Sequence, residues 1–161
     1  MKKQTQTVRH TNKFGFALQL GVYAGLIWGA IKMISYFLNF SQVLPGYMAE
    51  PFFTHDFIAG WGGHFVGWLF FIVFSLVASF IYTYALSKLK GPWFGIAYGA
   101  AWFFLIYLLV GPLTGMMPWI GNMSWDTYIV DLCIYLLWGI FIGYTASLEY
   151  TDERQREPES A

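Results

Sequence analysis

Four long apolar runs dominate the chain, and the polar residues gather in the stretches between them. A helix needs about 20 apolar residues to cross the hydrocarbon core of a bilayer, and the runs at 16–38, 62–86, 93–110 and 128–148 meet that requirement. The pattern predicts an all-α integral membrane four-helix bundle. Around the spans lie a tail at 1–15, a loop at 39–61, a short link at 87–92, a second loop at 111–127 and a tail at 149–161. The third run opens with Gly91-Pro92, where proline in the first turn costs no hydrogen bond. The link before it is so short that the second and third helices are expected to be antiparallel neighbours in a hairpin.

The connections differ in chemistry. The loop at 39–61 mixes Pro45, Gly46, Glu50, Pro51, His55 and Asp56 with Tyr47, Met48, Phe52, Phe53 and Phe57, a blend suited to the headgroup region. It is long for a compact bundle. The second loop carries two prolines, Trp119 and Trp125, with Ser124 or Asp126 available to cap the last helix. The apolar run after the basic start is too long for a signal peptide, so it reads as a retained helix. Neither end carries a lipidation signal. No internal repeat aligns the two halves.

Charge sets the expected orientation. Of the nine Lys and Arg residues, Lys2, Lys3, Arg9, Lys13, Lys88, Lys90, Arg154 and Arg156 fall in the tails and the short link, and only Lys32 lies within a span. Positively charged segments resist translocation. Both termini are therefore expected in the cytoplasm, with the two long loops outside. Composition agrees: 57% of residues are hydrophobic and 11% charged, against about a quarter charged in soluble domains. The bilayer is the expected solvent. No basic patch of useful size suggests nucleic acid. The single cysteine, Cys133, excludes an intramolecular disulfide and reads as a small buried apolar side chain.

Glycines recur at four-residue spacing: Gly21, Gly25 and Gly29 in the first span, Gly63 and Gly67 in the second, Gly95 and Gly99 in the third, Gly139 and Gly143 in the fourth. Such faces let helix backbones approach where lipid gives no hydrophobic drive for association. They are the candidate packing residues, within the bundle or toward another membrane protein.

Ionisable residues inside spans are costly and are functional candidates. Lys32, His64 and Asp131 form the candidate polar cluster. At about 1.5 Å per residue, Lys32 lies roughly 12 Å from the outer end of its helix, and the other two lie roughly 5 to 8 Å from theirs. All belong to the outer half. Lys32 shares the glycine face of its helix with Tyr36, while His64 lines up with Ser75, Ser79 and Tyr82. The expected arrangement is an ion pair between Lys32 and Asp131, with His64 within hydrogen-bonding reach. Snorkelling of Lys32 to the headgroups is the alternative. The inner half offers only Gln19, Ser75, Ser79 and scattered tyrosines, so a conduction path looks incomplete.

No catalytic or cofactor signature is found. Histidines lack metal-ligand spacing, and the chain has no HExxH, phosphate-binding loop or GxSxG elbow. Glu50, His55 and Asp56 read as surface groups, and the acids beside Arg154 and Arg156 as a solvated face. No catalytic residue, metal or cofactor is expected.

Two stretches, LSKLKGPWFGIAYGAAW at 86–102 and LCIYLLWGIFIGYTASLE at 132–149, resemble the YqhR family of small uncharacterised membrane proteins of Bacillus and related bacteria. The resemblance implies a bacterial plasma-membrane location and supplies no activity. The resulting expectation is a non-catalytic accessory or scaffold subunit acting through helix association with itself or another membrane protein. A small transporter component using Lys32, His64 and Asp131 is the alternative. A membrane enzyme acting on a lipid or isoprenoid is a third.

Overall fold

A computed structural model of the chain describes residues 12–86, 89, 91–119 and 121–150. Lys2, Lys3, Arg9, Lys88, Lys90, Arg154 and Arg156, which carry the orientation argument, lie outside the described residues, as do Asp152, Glu153 and Glu157 of the acids near the last two. Four helices are long and apolar enough to cross a membrane: α1 (Lys13–Phe37), α2 (Trp61–Leu86), α3 (Pro92–Thr114) and α4 (Trp125–Tyr150). No strand occurs among the described residues.

Local chemistry explains where the helices start and stop. Asn12 caps α1 by accepting a hydrogen bond from the Phe14 amide at 3.1 Å. Asn39, at φ 60°, ends it. The Phe40 amide returns to the Ser35 carbonyl and the Asn39 amide to that of Tyr36, which is the Schellman arrangement that satisfies the last carbonyls of a helix. Pro92 occupies the first turn of α3. That helix outruns its expected end at Val110: a π turn over Leu105–Val110 passes into Gly111–Thr114 before Gly115 stops it at φ 76°. Ser124 accepts from the Thr127 amide at the start of α4.

The termini of α1 and α4 share one end of the bundle, where Phe16 meets Tyr150 edge to face and Phe14 meets Phe80 of α2. The two long connections share the other, here the loop end. Close backbone approach occurs between α1 and α2 and between α3 and α4, with α1 also against α4. The expected neighbours in the hairpin do meet, but without the close backbone seam of the other pairs. Helices α2 and α3 meet through side chains: Tyr98 donates to the Ala78 carbonyl at 2.7 Å, and Trp102 stands edge-on to Phe74.

Glycine placement causes this pairing. A Cβ on Gly21 or Gly25 would fall 2.6 or 2.5 Å from the Cα of Leu76 or Ile72 on α2, and one on Gly29 would strike Trp68. Gly95, Gly99, Gly139 and Gly143 face one another's helices across the α3–α4 seam. Gly63 and Gly67 differ from the expectation. They admit the loop rather than a span, Gly63 against Ile58 and Gly67 against Pro45 and Gly46. The loop is thus seated in a notch cut into α2. Cys133 is also corrected: it is exposed on α4, because Asp131, Ile134, Tyr135 and Trp138 take the inward positions of that helix.

Candidate functional site

Lys32 and Asp131 are buried, and the structure pairs them directly. The Lys32 ammonium donates to Asp131 Oδ1, to Ser41 Oγ at 3.0 Å and to Tyr107 OH at 3.4 Å. An ammonium has three donors, and all three are used. The hydroxyls of Ser41 and Tyr107 both donate in turn to Asp131 Oδ2. The network is closed. It ties α1, α3, α4 and the first loop together at one point.

Each partner is placed by a local feature. The Schellman turn at Asn39 folds the chain back so that Ser41 sits over the last turn of α1, where its Oγ also accepts from the Val43 amide. The π turn in α3 presents Tyr107 to the carboxylate. Beyond it the loop is clasped to α4: the Gln42 amide donates to Thr127 Oγ1 at 3.1 Å, and the Ser124 amide donates to Gln42 Oε1. Tyr47 closes the cage from the side. Its ring lies 5.8 Å from the Lys32 ammonium, and its hydroxyl is 2.5 Å from that of Tyr135. Burial pushes the Tyr47 phenol well above its ordinary range, with Tyr135 and the Asp131 charge adding to the effect.

His64 does not join this group. Its ring packs against Tyr36, Phe37 and Trp61, and its buried Nδ1 has no hydrogen-bond partner. The expected three-residue cluster is corrected to Lys32, Asp131, Ser41 and Tyr107, because the inward face of α2 at His64 meets the last turn of α1 rather than α4. Below the cage Trp138 donates to Ser75 Oγ and Ser79 donates to the Ala17 carbonyl, while the buried hydroxyls of Tyr82 and Thr83 have no hydrogen-bond partner among the described residues.

A second feature lies at the loop end. His55 Nδ1 is 2.8 Å from Glu50 Oε1 on the wall of a cleft of about 490 Å³, which Gln42, Met116, Met117 and Asn122 also line. Asp56 does not line it. No group of three or more His, Cys, Asp or Glu side chains is placed to hold a metal among the described residues.

Residues 1–161 match the family model described as conserved membrane protein YqhR. The chain belongs to the YqhR family. It is 32% identical over 136 residues to the uncharacterized protein YqhR of Bacillus subtilis (strain 168), a match covering 82% of this chain and 74% of the relative. No solved structure matches the chain. Membership of the YqhR family supplies a membrane setting for the four helices.

Proposed function

We propose that this chain is a non-catalytic accessory subunit of a bacterial plasma membrane, with both termini cytoplasmic, whose bundle holds the first loop rigid as a docking platform on the outer side. The closed Lys32–Asp131 network carries this reading. A carboxylate working in transport or catalysis needs access to its proton or substrate, whereas Asp131 is fully buried and its oxygens accept from an ammonium and two hydroxyls of the same chain. A satisfied buried pair fits a role in fixing structure and register. The bundle's seam glycines face its own helices and loop, so partner contact falls to the loop end and the lipid-facing rings.

The test is site-specific photocrosslinking from exposed Phe52 and Trp119 at native expression level. Higher-mass adducts of defined composition are expected, and recovery of monomer alone from both positions overturns the reading. A cysteine placed at Asp56 should react with an impermeant thiol reagent outside intact cells. Labelling at Lys13 instead would invert the orientation.

A second reading has one observation in its favour, since intramembrane ionisable groups so often mark transport paths. If Lys32 and Asp131 carry ions or protons, Asp131→Asn changes a flux in proteoliposomes. Absence of flux in the parent protein removes that reading.

A further inference from the structure

We propose that the loop-end cleft and the space between α2 and α3 form one binding site for a membrane amphiphile whose headgroup carries a primary ammonium. Beside the cleft, a groove of about 290 Å³ opens between α2 and α3, lined by apolar side chains that include Met48, Phe70, Trp102 and Ile106. Met116 lines both spaces. A molecule with a polar head and a hydrocarbon tail fits that junction, because each part meets matching chemistry and the tail remains at bilayer depth.

The groove exists for an identifiable reason. The close backbone seams join α1 to α2 and α3 to α4, so α2 and α3 are held apart by aromatic side chains. The π turn of α3 supplies Leu105, Ile106 and Val110 to the groove wall, and such turns are frequent at functional sites. The same turn delivers Tyr107 to Asp131. The groove wall is thereby braced from behind.

Charge selects the headgroup. Residues 39–61 and 111–127 contain Glu50, Asp56 and Asp126 and no Lys or Arg, and Lys32 is consumed in the cage. Glu50 is largely buried, and His55 engages its Oε1, which leaves Oε2 for a donor from the ligand. An ammonium supplies that donor and its charge, in a cleft that Gln42 and Asn122 also line. A purely anionic headgroup would meet the Glu50 carboxylate with no Lys or Arg in either loop to offset it, and His55 is already engaged by that carboxylate. A quaternary ammonium brings charge but no N–H. The preferred ligand is therefore of the phosphatidylethanolamine class.

The full chain is reconstituted into nanodiscs containing equal phosphatidylethanolamine, phosphatidylcholine and phosphatidylglycerol with identical acyl chains, then released and weighed by native mass spectrometry. Phosphatidylethanolamine should be retained in preference to both others. Glu50→Gln should cut that preference roughly tenfold, the scale of one charge-assisted hydrogen bond. Val73→Trp, which fills the groove from an exposed position on its wall, should lower retention of all three lipids. Equal retention of the three lipids, a preference for phosphatidylglycerol or phosphatidylcholine, or full retention by folded Glu50→Gln overturns the proposal. If Glu50→Gln does not fold, the headgroup ranking of the parent and the Val73→Trp result decide it. A copurifying peptide in the groove in place of lipid also overturns it.

Discussion

Replacing Lys32 with Met, Asp131 with Leu, and both together separates an ion pair from two independent buried groups. Both side chains are almost wholly inaccessible, so a single replacement strands the other charge in a low-dielectric site. Breaking a buried pair in this way costs about 3–5 kcal/mol, whereas replacing both partners by apolar side chains is often close to neutral. The two singles need not be equal. After Lys32→Met, Asp131 keeps donors from Ser41 and Tyr107, which places that variant near 3 kcal/mol. After Asp131→Leu, the ammonium keeps only two neutral oxygens, which places it near 5 kcal/mol. The double variant loses the pair without an orphan charge, but leaves Ser41 and Tyr107 without their acceptor, at about 1–3 kcal/mol per group. Reversible denaturant unfolding in bicelles gives the coupling. The singles are expected to sum to about 2 kcal/mol or more beyond the double. Strict additivity would refute the reasoning, because two groups that do not sense each other cannot be a pair.

Two further outcomes follow from the geometry. Gly99→Ala should destabilise the protein by about 1–3 kcal/mol, since its Cβ would press into the Tyr135 backbone. Gly15→Ala, in the first turns of α1 with nothing within 4 Å, should be neutral or stabilising by up to about 1 kcal/mol; thermal unfolding of the two variants side by side checks both. Tyr47 predicts an alkaline limit. Its folded-state pKa lies above the ordinary value of 10.0, so the unfolded chain releases the proton first and stability falls as pH rises past that value. Tyr47→Phe should flatten this fall, and an unchanged slope in unfolding measured from pH 8 to about 11 would refute the assignment.

The spans and the direction in which Lys32 faces were legible from apolar run length and helical phase. Its remaining partners were not. Ser41 reaches the ammonium because Asn39 adopts a left-handed turn, and nothing in the apolar periodicity marks that return. An asparagine directly after the last apolar turn was the available signal. Tyr107 was hidden for another reason. It sits in a π turn, which shifts the phase of all that follows and defeats a count at 3.6 residues per turn. His64 failed as a cluster member because a helix phase gives a direction but not which neighbour stands there. The spacing of Gly63 and Gly67 matched that of the seam glycines, and only the loop's path over α2 distinguishes their task.

The ion pair links residues 99 positions apart in the chain, and a ribosome needs on the order of 5 to 20 s to add that many. Lys32 thus emerges from the ribosome that long before its counter-charge does. The first helix must therefore wait beside water or the insertion machinery, rather than settle in lipid, until the fourth arrives.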